Sequence, residues 1–165
     1  MPLFLSEQEL INIICAKGAE MNHSEFKRIL ENCVDKYGFT CFRKNHYLQS
    51  GDLLIVINTQ KSDYDNSYYV NYGFCVKTIH PDLEYPQISE CDIIGRFLNT
   101  AGGKADLFQL SELDPSKLHC CFDSNMQNII MPVIEGGISR YFEIFPHAVH
   151  SAKRTLKEYL NASDV

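Results

Sequence analysis

Amide and charged side chains recur in the middle of the chain at spacings that could bring them together. Asn58 and Gln60 are two residues apart, Asp92 and Arg96 are four apart, and Asn71 lies between the two pairs. Amides offer donors and acceptors together, and an arginine presents a fixed fork of donors to a carboxylate or phosphate. These residue types favour recognition of a partner or ligand over bond-breaking chemistry.

The five residues are predicted to share one face of a sheet. Successive side chains of a strand point to opposite sides, so residues two or four apart in one strand lie on the same face. If the strands are neighbours in compatible register, the five side chains form a mixed amide and ion-pair patch. The alternative is a polar face in solvent or under a helix, with Asp92 and Arg96 paired only with each other along the strand.

The sheet that must position these residues is predicted from a change in hydrophobic period. From about residue 39 to 98 the apolar residues alternate with polar ones, where the preceding segment repeats with the period of a helix. Short connections between strands favour antiparallel neighbours. Turn residues divide the segment into about four predicted strands, at roughly 40–48, 53–61, 68–78 and 90–98.

Helices are predicted on both sides of this sheet along the chain. The segments at about 6–17 and 23–37 each begin after a residue that suits an N-cap, Ser6 and Asn22, with a glutamate three positions later. Further helices are predicted over about 123–160 from apolar residues at helical spacing. The predicted fold class is therefore α+β, an antiparallel sheet packed with N-terminal and C-terminal helices.

Length and composition restrict the class of protein. The sequence 1–165 suits a single domain, and 45% hydrophobic with 22% charged residues is typical of a globular one. With 21 acidic and 15 basic residues the net charge is −6, which disfavours nucleic acid as a partner.

No apolar run approaches the roughly 18 residues of a membrane span, so we expect a cytoplasmic protein without membrane contact. Seven cysteines without a framework spacing indicate reduced thiols.

Metal and cofactor sites have little support in the sequence. The run His119-Cys120-Cys121 and the pair His147 and His150 contain metal-capable atoms, but no recognised ligand spacing organises them. No phosphate-binding loop, dinucleotide fingerprint or nucleophile elbow is present. We therefore expect no metal and no cofactor. A Cys–His nucleophile pair stays open, because its two members need not be adjacent in sequence.

Several motifs together resemble a known family. The spacing of Gln60-Lys61-Ser62 and Asn71-Tyr72-Gly73 carries the resemblance, supported by Gly38-Phe39, Cys91-Asp92 and Gly95-Arg96-Phe97. Over about residues 20–145 the chain resembles the largely bacterial domain of unknown function 4304. The resemblance implies a fold and a set of motif positions, and it brings no activity, substrate or cofactor.

The first functional hypothesis is a non-catalytic binding domain. The amide-rich patch and the acidic surface would engage a protein partner through the sheet face. Small acidic domains of this general kind resemble immunity proteins, which neutralise a toxin, so an immunity-like role is one version of the hypothesis. That analogy rests on size and charge alone.

The second hypothesis is a small enzyme or a domain that binds an anionic ligand. Gln60, Asn71, Asp92 and Arg96 would surround the ligand, and His46 on the neighbouring strand would serve as acid or base. A cavity at these side chains would favour this alternative.

A third hypothesis is a homodimer. Tyrosine is favoured at protein interfaces, and Tyr64 and Tyr69 lie in segments predicted to be accessible. The oligomeric state in solution tests it.

Overall fold

The computed structural model describes residues 6–8, 20–101 and 105–163. The helix predicted at about 6–17 lies outside the described residues, apart from 6–8. Helix α1 (His23–Asp35) begins as predicted, because the Asn22 side chain accepts a hydrogen bond from the Glu25 backbone N–H at 2.8 Å.

The sheet is antiparallel throughout and has the order β1-β2-β3-β4-β5, with a short β6 beside the start of β4. The predicted α+β class with an antiparallel sheet is confirmed, and the predicted count of about four strands is close to the observed six. The strands are β1 (Thr40–Phe42), β2 (Asn45–Ser50), β3 (Leu53–Lys61), β4 (Ser67–Val76), β5 (Ile93–Arg96) and β6 (Phe108–Gln109).

One additional strand arises because the first predicted strand is a hairpin. Arg43 and Lys44 connect β1 to β2 with positive φ angles of 49° and 73°. Two-residue hairpin turns of this kind are usually occupied by Asn or Gly, which tolerate the left-handed region. Neither Asn nor Gly is present in this turn. No turn residue therefore marked the break, and the hydrophobic pattern predicted one continuous strand.

The C-terminal half is helical but begins earlier than predicted. Asp114 caps α2 by accepting from the Lys117 N–H at 3.2 Å, and Pro115 occupies the first turn, a favourable position for proline. The later elements are α2 (Pro115–Asn125), a π-helical segment (Met126–Ile130), α3 (Met131–Gly136), α4 (Ser139–Ile144), a 3₁₀ segment (Pro146–Ser151) and α5 (Arg154–Ser163). No helix in the described ranges is long and apolar enough to cross a membrane.

The two faces of the sheet are covered differently. The helices pack on one face, here called the covered face, where Phe26 of α1 and Phe122 of α2 meet Tyr72 and Phe74 of β4 in the main core. The opposite face, the open face, has a smaller apolar cluster of Tyr47, Leu54, Val56, Cys75 and Cys91, against which Leu83 and Ile88 of the β4–β5 connection pack. The remaining half of the open face is polar.

Candidate functional site on the open sheet face

Strand register brings three of the predicted residues into one row across the open face. Asn58 of β3 lies directly opposite Asn71 of β4, and Asn71 lies opposite Arg96 of β5. Gln60 is on the same face of β3 as Asn58, two positions further on. The predicted convergence of these four side chains therefore follows from alternation and register together.

Asn71 is the centre of this row. Its Nδ2 donates to Asn58 Oδ1 at 3.2 Å and to Gln60 Oε1 at 3.1 Å, while its Oδ1 accepts from Arg96 Nε at 3.2 Å. The residue is only 7% exposed, and these bonds use both the donor and the acceptor ends of its amide. Asn71 therefore fixes the orientation of the side chains on either side of it.

Arg96 is held on three sides. In addition to the bond from Nε, its Nη1 lies 3.4 Å from Asp106 Oδ2, and its guanidinium carbon lies 3.9 Å from the centre of the Tyr69 ring. Such a cation–π contact stabilises the guanidinium without using its donors. The Arg96 side chain is still 39% exposed, and Nη2 has no hydrogen-bond partner within the described residues.

The donors of the neighbouring amides are also free. Asn58 and Gln60 turn their oxygens towards Asn71, which leaves their NH₂ groups without a hydrogen bond to any described residue. The polar half of the open face thus presents mostly donors. We call this surface, made of Asn58, Gln60, Tyr69, Asn71, Arg96 and Asp106, the polar face.

Asp92, which was predicted to join the patch, does not do so. Its buried carboxylate accepts from the Val76 N–H at 2.8 Å and contacts His80 Nε2 at 2.7 Å. The ion pair of Arg96 is formed with Asp106. Asp92 therefore fastens the start of β5 to the end of β4.

The prediction for Asp92 fails because alternation stops before β5 begins. The preceding residues form a 3₁₀ turn, Ile88–Glu90, and the strand starts only at Ile93. As a result Cys91 lies in the open-face cluster and Ile93 in the main core, although strict alternation would put the two on one face.

His46 is also separate from the polar face. It pairs with Ile57, a residue of the covered face, and so points away from the amide row. The predicted placement of His46 beside Gln60 and Arg96 is therefore wrong, because odd and even positions of β2 belong to opposite faces.

Two residues of the polar face were missed as site residues. Tyr69 shares the face of Asn71 by alternation, so the signal was present in the sequence, but its contact with Arg96 was not foreseen. Asp106 is far from Arg96 along the chain and no spacing relates them. Of the tyrosines predicted for a homodimer, Tyr64 is 97% exposed and Tyr69 lies beneath Arg96; the dimer stays a prediction.

The apolar half of the open face explains Gly73. A Cβ at Gly73 would overlap Cys91 Sγ and lie 2.7 Å from Cys91 Cβ, so the glycine permits close approach of Cys91. Hydrogen bonding to Cys75, together with burial, raises the pKa of the Cys91 thiol. This thiol is protonated at neutral pH and belongs to the packing of the sheet.

The chemistry of the polar face suits binding. Its groups are two amides with free donors, a central amide, a guanidinium, a phenol and one carboxylate. Across the described residues, no three His, Cys, Asp or Glu side chains are grouped so that they could hold a metal ion. The face can therefore form several hydrogen bonds and one ion pair with a group rich in acceptors.

Comparison with protein families gave one match. A family model described as a domain of unknown function (DUF4304) matches residues 30–136, well over half of the chain. The match includes every residue of the polar face. The comparisons with curated proteins and with solved structures gave no significant match.

Proposed function

The chain belongs to the family of domains of unknown function DUF4304, and we propose that it is a non-catalytic binding domain whose polar face engages a protein partner. The observation that carries this proposal is the state of Arg96: its guanidinium is held by Asn71, Asp106 and Tyr69, yet its side chain is 39% exposed and its Nη2 has no hydrogen-bond partner among the described residues.

An arginine held in this way is suited to binding. Immobilising a flexible side chain on association costs roughly 0.5–1.5 kcal/mol, and a side chain that is already ordered avoids most of that cost. Arginine is also enriched among the residues that dominate interface energetics. Arg96 is therefore expected to be the energetic centre of the interface.

The donors on the polar face define the group that the partner must offer. Arg96 Nη2 and the NH₂ groups of Asn58 and Gln60 all require acceptors. A partner carboxylate at Arg96, with backbone carbonyls near the two amides, satisfies them together. The partner surface is thus expected to be an acidic segment.

An immunity-like role is the version of this function in which the partner is a toxin, and the identity of the neighbouring genes tests it.

Site-specific photo-crosslinking in the native host tests the proposal. A photoreactive amino acid at Ile94, which is exposed beside Arg96, should give a discrete protein adduct. The same amino acid at Val149, which is exposed in the 3₁₀ segment of the C-terminal region, is the positional control. Arg96→Ala should remove the adduct at Ile94.

Arg140→Ala is the matched control for Arg96→Ala, because Arg140 is 49% exposed and also forms an ion pair, with Glu143. Its adduct yield at Ile94 should equal that of the unmodified chain. Adducts that survive Arg96→Ala, or that form equally at Val149, would remove the polar face as the interface.

The alternative of a small anionic ligand is separated by a second measurement. Nη2 of Arg96 can donate to a free carboxylate or phosphate as readily as to one on a protein. In that case citrate or phosphate would raise the melting temperature of the unmodified chain and leave that of Arg96→Ala unchanged, and no protein adduct would form at Ile94.

A further inference from the structure

A small cavity lies on the other side of the sheet, between α1 and the β1–β2 hairpin. Its volume is about 200 Å³. It is smaller than the roughly 300 Å³ at which pockets for drug-sized ligands begin, so it suits a small compound or one end of a larger one. The side chains around it include Lys27, Cys41, Lys44, His46 and Thr59.

Cys41 and His46 lie side by side in the wall of this cavity. They are directly opposite in the antiparallel pair of β1 and β2, an arrangement that brings Cβ atoms to about 5 Å and places both side chains on the same face. Cys41 is exposed, while His46 is only 7% exposed. A thiol open to solvent therefore lies beside a buried imidazole.

The imidazole is unusual because part of its hydrogen-bonding capacity is unused. Nδ1 of His46 is buried and has no hydrogen-bond partner in the described part of the chain. Most buried polar atoms are hydrogen-bonded, and an unsatisfied one destabilises the folded protein. His46 lines the cavity, and an imidazole there with an unused nitrogen points to a function in binding or proton transfer.

The charged groups around His46 determine its protonation. Burial lowers the pKa of His46, while Glu31 and Asp35 of α1 oppose this in part. Lys27 and Lys44 also line the cavity. The imidazole is consequently neutral at physiological pH and can accept a proton.

The two lysines give the cavity a preference for anions. Lys27 comes from α1, and Lys44 is presented by the hairpin turn, where its backbone has a positive φ of 73°. Glu31 is the acidic residue of the cavity lining, so cationic groups exceed anionic ones there. A compound with carboxylate groups would be attracted to the side on which Cys41 is exposed.

From this juxtaposition we propose that Cys41 is a reversible thiol-modification site that exchanges with small anionic disulfides, with His46 as the base and Lys27 and Lys44 as the anion-binding groups. The occupant is a low-molecular-weight disulfide that carries carboxylates. The site lies on the covered face, away from the polar face, and is independent of the binding function proposed above.

The exchange balances without a further oxidant. His46 takes the proton of the Cys41 thiol, and the resulting thiolate attacks one sulfur of the disulfide. A new S–S bond forms to Cys41 as the original S–S bond breaks. The departing thiolate receives the proton from the imidazolium and leaves as a thiol.

Cys120 is a control within the same molecule. It is also exposed and has a lysine nearby, Lys117, but no histidine lines its pocket. The other described cysteines are buried. Cys15 lies outside the described residues, so it is replaced by serine in every variant. Cys15→Ser with Cys120→Ser then reports on Cys41, and Cys15→Ser with Cys41→Ser reports on Cys120.

The experiment compares two probes, the dianionic 5,5′-dithiobis(2-nitrobenzoate) and the neutral 4,4′-dithiodipyridine. Rates are followed by absorbance at neutral pH, and the modified residue is located by peptide mass. The ratio of anionic to neutral rates should be about tenfold higher at Cys41 than at Cys120, because two lysines attract the anionic probe near Cys41 and one lysine lies near Cys120. Changing Lys27 and Lys44 to Gln should reduce the ratio to that of Cys120.

His46→Gln tests the base. It should lower the Cys41 rate about tenfold with both probes, the low end of what general-base catalysis contributes, and leave the anionic preference intact. The two probes are compared in variants that retain His46 and therefore an unchanged core. That comparison still tests the proposal if His46→Gln does not fold. Equal probe ratios at Cys41 and Cys120, or an unchanged rate in folded His46→Gln, would overturn the proposal.

Discussion

Asn71 on the polar face and His46 in the cavity wall are buried to the same extent but are used differently. Each is 7% exposed, and each lies in the same antiparallel sheet. Asn71 has both ends of its amide hydrogen-bonded, whereas His46 has a buried nitrogen that no group in the described ranges satisfies. The hydrogen bonds of a satisfied polar group hold its neighbours in one arrangement. An unsatisfied polar group destabilises the fold, and a ligand or a proton that supplies its missing partner would recover that free energy.

The difference extends to the kind of function each region supports. On the polar face the hydrogen bonds hold Arg96 in a fixed orientation, which favours recognition without chemical change. In the cavity the neutral imidazole lies opposite an exposed thiol, which favours proton transfer. Burial alone would not distinguish the two regions. The hydrogen-bond partners do.

The contrast between Asn71 and His46 requires a sheet that is packed tightly on both faces. Substitution of alanine for two glycines tests this packing. A Cβ at Gly95 would overlap the phenol of Tyr72 and lie 2.7 Å from Tyr141 Oη in the main core. Gly95→Ala should therefore lower the free energy of unfolding by about 3 kcal/mol, the upper end for overpacking. Gly73→Ala, which meets Cys91 on the open face, should cost about 1–2 kcal/mol. Urea denaturation measures both.

Gly136→Ala is the control for these substitutions. Its added Cβ, at the end of α3, would lie 3.3 Å from Arg140 Cβ, a much longer separation than those at Gly95 and Gly73. The change should be within about 0.5 kcal/mol, or stabilising, because alanine is a better helix former than glycine. If Gly95→Ala were as stable as Gly136→Ala, the covered face would not be as tightly packed as described.

Asp92 and Arg96 were placed in one site by the sequence, but substitutions at the two positions should affect stability differently. Asp92→Ala leaves the buried Val76 N–H without its acceptor and should lower the free energy of unfolding by about 2 kcal/mol. Arg96→Ala should cost about 1 kcal/mol or less, because both side chains of its ion pair with Asp106 are more than a third exposed and water screens their attraction. Thermal and urea unfolding of the two variants, side by side, check this.

That result would give Asp92 a structural role and would leave Arg96 available for the proposed binding. The opposite result, with Arg96→Ala the more destabilising of the two, would mean that the polar face serves the fold. In that case a loss of partner adduct in Arg96→Ala could not be attributed to recognition.

The residues that sequence placed correctly are those whose positions follow from local rules. Asn22 caps α1 through a contact three residues away, and Asn58 and Asn71 meet because two regular strands keep strict alternation. Asp92 was misplaced where a 3₁₀ turn interrupts alternation. Asp106 and the Cys41–His46 pair depend on tertiary contacts or on a turn without glycine, and no local pattern encodes those.

The smallest expected effect concerns the pH dependence of stability. Burial lowers the pKa of folded His46 below the ordinary value of about 6.5 that it regains on unfolding. Below that value the unfolded chain binds the proton more readily, so this contribution to stability is present at higher pH and is lost as the pH falls towards the folded pKa. Urea midpoints of the unmodified chain should therefore decrease between about pH 7.5 and 5.5.

His46→Gln should decrease less over the same range, because the group that titrates is gone. His150→Gln, at an exposed position, is the control and should follow the unmodified chain. The titratable groups other than His46 and His150 are common to all three proteins, so the difference isolates His46. Parallel curves for the unmodified chain and His46→Gln would mean that burial does not lower the pKa of His46 in the folded protein.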